Sequence, residues 1–583
     1  MVHVLKILVL ISHGILLMRI LGLNAYAHDA GIALLRDGEI EVVVEEERFD
    51  RVRKSQNFPA QSIQECLLAR HIDLDDIDHV VFPWRTFPFV VNWAGLVLKT
   101  FPVGLNLLRR GASPNMNAGT AIRFILLTQD IRRILRRRPT RKVLQVSHHI
   151  CHAAGAFFTS PFEEAAVLVM DGYGENVSTS FYEARGTKVT PLYRNRFLNS
   201  MGILYSLVTL HLGYQTVMDE GKVMSLASYG TDALVDEFHK IVRLLPDGRY
   251  EFDYSYLDYH RWGELRPFTK KFERIFGPRR RPDEPIEQRH RDLAHALQAV
   301  LEETVLHTVR GLAARVKTRN LCFTGGTALN CIANGRILKE GPFERVFIPS
   351  NPNDAGVALG ATLHLYHTLL DKPREKLTLS PFQGPRSSTA EVQRALKEEG
   401  CKYRECEDAC QEAAALLAEG KVIGWFYGKM EMGPRALGNR SILADPRRPE
   451  MRDYLNQQVK HREAYRPYAP AVLEERVSEF FDFQGVSPYM SFAAKVKPQV
   501  RAMIPSVVHV DGTSRIQTVR ANSNPRFWRL IKEFEQLTGI PMVLNTSFNV
   551  QEPIVCRPQD AVATFRQAHL DALFIEDFRV DKE

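Results

Sequence analysis

Short, mostly apolar runs at residues 20–25, 31–35 and 40–45 stand between polar turn residues, the signature of core strands. Asp37-Gly38 lies between the second and third runs, and such a dipeptide between apolar alternations predicts a hairpin. A helix over residues 60–70 and a strand over 79–82 follow. Residues 86 to about 140 are rich in Phe, Leu and Arg without a strand period and predict a helical insertion, bounded here at 86–142. The run 164–170 reads as a buried strand, ending in a turn at Asp171-Gly172-Tyr173-Gly174. Cys322-Phe323-Thr324-Gly325-Gly326 repeats that strand-to-turn pattern, and residues 345–349 form a further strand before the turn-rich Ser350-Asn351-Pro352-Asn353-Asp354-Ala355-Gly356. Between 373 and 388 proline, serine and charge replace the periodic text, marking a linker. A second α/β unit opens near Thr389 and contains a strand over 422–428. The expected organisation is therefore an α/β unit at 18–372, a linker at 373–388 and another α/β unit at 389–583.

Length supports that division, because 583 residues exceed what one hydrophobic core usually serves. An apolar fraction of 45% with 25% charged residues describes an ordinary globular chain and argues against extensive disorder. The net charge of +8 collects in the runs 132–138 and 279–281. No aromatic residues interleave them as in nucleic-acid readers, so they read as solvated faces, with no nucleic-acid partner expected. The first seventeen residues are apolar but broken by Ser12, His13 and Gly14, which is too short a run for a bilayer span. They read as an upstream extension before a start at Met18. Eight cysteines without a CxxC pair are the usage of a reducing compartment, so a cytoplasmic location is expected and no membrane partner.

The candidate chemistry centres on Ser147-His148-His149-Ile150-Cys151-His152. His148 and His152, at i and i+4, share a helix face and point two imidazoles at one place. Such a pair also describes two hydrogen-bonded histidines that hold no ion. A third ligand must come from far along the chain, and Asp354 is the best placed. Asp171, at the end of a strand, stands beside the same site directly or through water. Two histidines and a carboxylate leave coordination positions open, as a catalytic metal centre requires. His28, in the loop of the first strand pair, is a candidate general base or a residue that orients its loop. Glu220-Gly221-Lys222 opens a helix and suits a nucleotide's ribose or phosphate. Gly325 and Gly326, leading to Asn330, allow close backbone approach to an anion.

Several longer words carry a resemblance. They are Asn24-Ala25-Tyr26 with His28-Asp29, the histidine motif at 148–152, Asp171-Gly172, Glu220-Gly221-Lys222, Gly325-Gly326-Thr327-Ala328-Leu329-Asn330, Gly433-Pro434-Arg435-Ala436-Leu437-Gly438-Asn439-Arg440-Ser441 and Asn545-Thr546-Ser547-Phe548-Asn549. In this order the chain resembles the nodulation and antibiotic O-carbamoyltransferases. The resemblance implies a two-lobed actin-like amino-terminal domain of the ASKHA type, and a YrdC-like carboxyl-terminal domain that makes carbamoyl adenylate from carbamoyl phosphate and ATP with Mg2+. The first domain would then pass the carbamoyl group to the hydroxyl of a sugar, antibiotic or related natural product. By the same likeness, His148, His152, Asp354 and Asp171 would hold iron(II) or a similar divalent metal. Glu220, Gly221, Lys222, Gly325, Gly326 and Asn330 would meet the nucleotide. Carbamoyl phosphate would fall to Arg435, Arg440, Lys460, Arg466, Arg515, Asn545, Thr546 and Ser547. Two rival readings use the same words: a tRNA threonylcarbamoyl-adenosine-type modification enzyme, and a non-catalytic ATP- or metal-binding scaffold. A homodimer is left open.

Overall fold

The computed structural model describes residues 18–67, 72, 76–109, 111–112, 122–124, 126–127, 129–130, 143–374 and 380–582. The expected upstream extension, the basic run at 132–138 and parts of the insertion and linker lie outside them.

The first sheet holds β1 (Arg19–Asn24), β2 (Gly31–Arg36), β3 (Glu39–Glu45), β4 (His79–Phe82) and β5 (Leu144–Gln145), in the order β3-β2-β1-β4-β5. Antiparallel pairs join β1 to β2 and β2 to β3, while β4 and β5 extend it in parallel. After β6 (Glu164–Gly174), β7 (Val177–Arg185) and β8 (Lys188–Arg196) comes a separate hairpin of β9 (Val242–Leu245) and β10 (Arg249–Phe252). With β11 (Asn320–Thr324) and β12 (Arg345–Phe347), the second sheet has the order β12-β11-β6-β7-β8, again with a meander on one side of the first strand and parallel additions on the other. The two sheets therefore repeat one topology.

One helix from each half fills the space between them. Helix Val357–Leu363 lies on the first sheet so closely that a Cβ on Gly22 of β1 would stand 2.3 Å from the Ala358 carbonyl oxygen. Helix His148–Thr159 rests on the second sheet, its Cys151, Ala154 and Phe157 sharing a core with Val167 and Val169 of β6 and with Leu359 and Ala361. The helices meet at Gly155 and Gly360, where a Cβ on Gly360 would lie 1.8 Å from the Cys151 carbonyl oxygen. Only a residue without a side chain permits that approach, and it brings the histidine helix to the segment that carries Asp354.

One expected turn is absent. Asp171-Gly172-Tyr173-Gly174 does not end the strand but continues β6 through a bulge, with register shifting between Met170 and Gly174 before Gly174 pairs with Val177. The bulge re-aims Asp171, as extra residues in a ladder do.

A third sheet contains β13 (Tyr403–Glu405), β14 (Ile423–Phe426), β15 (Arg440–Ala444), β16 (Ala469–Leu473), β17 (Phe481–Asp482), β18 (Phe492–Val496), β19 (Thr513–Val519), β20 (Met542–Ser547), β21 (Ala572–Ile575) and β22 (Phe578–Asp581). These ten strands run in the order β13-β22-β21-β14-β15-β20-β16-β19-β18-β17. This unit docks on both lobes of the first. Gly433, with φ of +89°, gives its N–H to Glu45 at 2.8 Å and accepts from Arg48 at 2.8 Å, and a Cβ there would meet the Ser350 carbonyl oxygen at 2.4 Å. Among the described residues, no helix is long and apolar enough to cross a membrane.

Candidate functional site

His148 opens its helix, and the amide ends of that helix are steadied from afar. Glu175 accepts from the His148 amide at 3.1 Å and from the Arg85 amide at 3.0 Å. The His148 Nδ1–H donates to the Pro83 carbonyl at 3.3 Å while Trp84 stacks on the ring at 4.0 Å. That pairing makes Nδ1 the outward donor and turns Nε2 inward, the orientation a ligand needs. Nε2 of His152 lies 3.1 Å from Nε2 of His148. Asp354 Oδ1 is 3.3 Å and 3.4 Å from these two nitrogens, and Asp171 Oδ2 is 3.5 Å and 3.9 Å from them. All four ligand atoms fall within 4.8 Å of one another. Ligands about 2.1 Å from a common centre stand roughly 3.0 to 3.4 Å apart, so the 3.1 to 3.4 Å spacing of His148, His152 and Asp354 fits a divalent cation, with Asp171 standing slightly wider beside them. Asp354 Oδ1, buried, makes no hydrogen bond. Burial opposes charge on His148, yet Asp354 and Asp171 outweigh it and lift its pKa to about 10, as expected for two buried carboxylates with no stronger cation to face. His149 points away, bonded to Ser180 at 2.7 Å, and burial lowers its pKa to about 3.

Beside this cluster the loop between β1 and β2 is bent by left-handed Tyr26 (φ 68°) and Asp29 (φ 58°) on either side of His28. Non-glycine residues adopt this conformation where other contacts hold them there. Asp29 accepts from His28 Nδ1–H at 2.9 Å, from Asn353 at 2.8 Å and from Lys54 at 2.8 Å. His28 Nε2 thus faces Asp354 Oδ2, 3.7 Å away. Burial lowers the His28 pKa, but Asp354 and Asp29 raise it further, to about 9.

From here a cavity of about 710 Å3 runs to the third sheet. His28, Asp171 and Asp354 line one end, with His148 and His152 buried behind the carboxylates. Glu220, Gly221, Lys222, Gly326 and Asn330 line the middle. The far wall carries Arg435, Lys460, Arg466, Arg515, Asn545, Thr546 and Ser547, together with Arg462. Burial, with Arg435 adding repulsion, lowers the Arg515 pKa to about 9. Burial followed by the fields of Arg466 and Arg515 brings Arg462 down to about 10. Glu463 is engaged by Lys222 at 2.9 Å and lies 3.9 Å from Arg466. The wall is a concentration of positive charge in want of an anion.

Some candidates fall elsewhere. Arg440 does not line the cavity: fully buried, it stacks 3.6 Å over Phe426 and gives its guanidinium to the carbonyls of Tyr427, Asn439 and Gly428. Gly325 is also outside the lining; its amide bonds Pro352, and the Gly326 amide bonds Asp171 Oδ1 at 2.8 Å. Both N–H groups of this expected anion loop are therefore occupied, and the loop orients a carboxylate. Lys460 reaches the lining but spends its ammonium on the Ser547 and Asn549 carbonyls, each at 2.5 Å. Arg280, expected on a solvated face, is buried and donates to the Leu212 carbonyl at 2.6 Å. Glu431, not foreseen, accepts from the amides of Leu437, Asn439 and Arg440 and so shapes the loop that presents Arg435.

Twin α/β lobes, a second α/β unit and a cavity with a cation-seeking end and an anion-seeking end make a group-transfer enzyme. Residues 19–363 match the model of the carbamoyltransferase N-terminus and residues 414–582 that of the carbamoyltransferase C-terminus. The chain belongs to the carbamoyltransferase family and is a carbamoyltransferase. Its relatives include an uncharacterized protein of Synechocystis sp., 38% identical over 97% of this chain and 96% of that one. Nodulation protein NolNO of Sinorhizobium fredii is 38% identical over 96% of this chain and 80% of its own length. Nodulation protein U of Bradyrhizobium diazoefficiens is 30% identical, covering 91% and 92%.

Proposed function

We propose that the protein is an ATP-dependent O-carbamoyltransferase working in two stages along the one cavity. In this reading residues 389–583 form a YrdC-like unit, which converts carbamoyl phosphate, water and ATP with Mg2+ into carbamoyl adenylate, phosphate and pyrophosphate. Arg435, Arg466 and Arg515 bind the phosphoryl oxygens, with Thr546 and Ser547 on the same wall and Asn545 bracing the Arg435 loop through the Ala436 carbonyl at 3.2 Å. Guanidinium forks suit such oxygens, and their mutual repulsion falls when an anion arrives. Glu220, Gly221, Lys222 and Asn330, between the two ends, hold the nucleotide.

Residues 18–372 form the actin-like unit, where the carbamoyl group passes to an acceptor hydroxyl. His148, His152, Asp171 and Asp354 would hold a divalent cation such as iron(II). Such an ion, when bound, polarises a carbonyl oxygen. His28 accepts the hydroxyl proton at Nε2, its Nδ1–H being held by Asp29. Asp354 and Asp29 are the groups that raise the His28 pKa.

The observation that carries this reading is the single cavity with a carboxylate–imidazole cluster at one end and an arginine wall at the other. Incubation of purified protein with ATP and carbamoyl phosphate tests it. Pyrophosphate release dependent on carbamoyl phosphate is expected; release that ignores carbamoyl phosphate, or none, would overturn it.

A further inference from the structure

Neither the cluster nor the arginine wall explains a third stretch of the cavity, where the insertion meets the segment around Gly263. Trp93 and Leu96 of helix Thr86–Lys99, Leu107 of the short helix Val103–Leu108, and Met218 give it an apolar side. Glu264 lines the same cavity. The insertion and the Glu264 segment are locked together: the Glu264 amide donates to the Ala112 carbonyl at 2.7 Å, and Gly263, with φ of +56°, approaches so closely that a Cβ would lie 1.9 Å from that oxygen.

The Glu264 carboxylate has no ion-pair partner among the described residues, and accepts from Thr216 at 3.2 Å. Thr216 is turned toward it by an unusual elbow. Val217 has φ of 69°, a left-handed conformation that a β-branched side chain strongly disfavours, and its amide is fixed at 2.7 Å to Glu220. Burial and the charge of Glu220 raise the Glu264 pKa to about 7, so a cation beside it would repay its desolvation. Trp84, which stacks on His148 at 4.0 Å, stands two residues before helix Thr86–Lys99, so the helix that carries the apolar side starts at the acceptor end of the cavity.

We infer that Glu264 and the apolar face of Trp93, Leu96 and Leu107 form the acceptor subsite, and that it selects a hydroxyl acceptor bearing a protonated amine next to an apolar ring face or chain. This rests on the transfer reading above for the acceptor's role, though not for its binding. An aromatic ring and a carboxylate lining one cavity offer dispersion to a ring face and a charge-assisted hydrogen bond to a ring substituent. Anionic acceptors would be repelled by Glu264 and Glu220.

A matched pair of probes decides the matter: trans-2-aminocyclohexanol and trans-cyclohexane-1,2-diol, alike except that one carries an ammonium where the other carries a hydroxyl. Titration of full-length protein at about pH 8, where the amine is protonated and the carboxylate ionised, is followed by tryptophan fluorescence. The amino alcohol is expected to bind roughly tenfold more tightly. Glu264→Gln should bring that ratio near one, and Trp93→Ala should weaken both probes alike. Equal binding of the two probes by the unaltered protein, or a preference that survives Glu264→Gln, would overturn the inference. Pyrophosphate release by the unaltered protein with ATP and carbamoyl phosphate, measured without either probe, reports on the carbamoyl-adenylate reading alone. The two can therefore fail separately.

Discussion

The two ends of the cavity reach stability by opposite routes. At the front, His148, His152, Asp171 and Asp354 mix imidazoles with carboxylates, and two of them are oriented from behind, His148 by the Pro83 carbonyl and Asp171 by the Gly326 amide, while Glu175 holds the His148 amide. At the rear, Arg435, Arg462, Arg466 and Arg515 gather like charge: burial lowers the pKa of Arg435, Arg462 and Arg515, and the charge of Arg466 lowers each of them further. A mixed cluster suits a cation; a like-charge wall suits an anion. One side of the protein is thus preorganised and the other is strained until its ligand arrives.

The largest effect that would break this contrast lies at the front. His148→Ala should lower carbamoyl transfer by more than about a hundredfold, the loss of several kcal/mol of carbonyl polarisation, and bound divalent metal measured by elemental analysis should fall with it. Undiminished metal content would mean that the ion sits elsewhere. At the rear, Arg515→Met should reduce pyrophosphate release roughly ten- to a hundredfold, as removal of a charge-assisted bond does. Because it also removes a like charge, thermal unfolding without ligand should occur at the same or a higher temperature; a clear fall would show that Arg515 is a structural cation. Asp29→Asn sharpens the comparison by a smaller amount. It loosens His28 without touching the metal ligands, so transfer should drop about tenfold and shift its pH profile while metal content stays constant. The smallest effect concerns the frame: Gly360→Ala forces a Cβ toward the Cys151 carbonyl and should cost about 1–3 kcal/mol of stability in denaturant unfolding, with weaker metal retention.

Much of the front end was legible in the chain. Short apolar runs between turn residues marked β1 to β3, and the i, i+4 spacing of His148 and His152 aimed two imidazoles together before any fold was known. Asp354 could be named because a carboxylate after a strand, in a turn-rich segment, stands at a sheet's edge. What local pattern did not reveal was where a residue's bonding capacity is spent. Arg435 and Arg440 share one motif, yet Glu431 folds that loop so that one guanidinium enters the cavity and the other is consumed by carbonyls. Gly172 and Gly174 suggested a turn, but pairing of Gly174 with Val177 turned it into a bulge. The glycines at 325 and 326 promised free amides, which Pro352 and Asp171 occupy. Trp84 on His148 and Gly360 beneath Cys151 are products of tertiary approach, for which sequence spacing has no sign.

Carbamoyl-phosphate-dependent ATP–pyrophosphate exchange in Asp354→Ala tests the division of labour most directly, measured beside carbamoyl transfer by the same preparation. Exchange close to that of the unaltered protein with transfer lost is the predicted result. Loss of both together would contradict an activation chamber that works apart from the histidine–aspartate cluster.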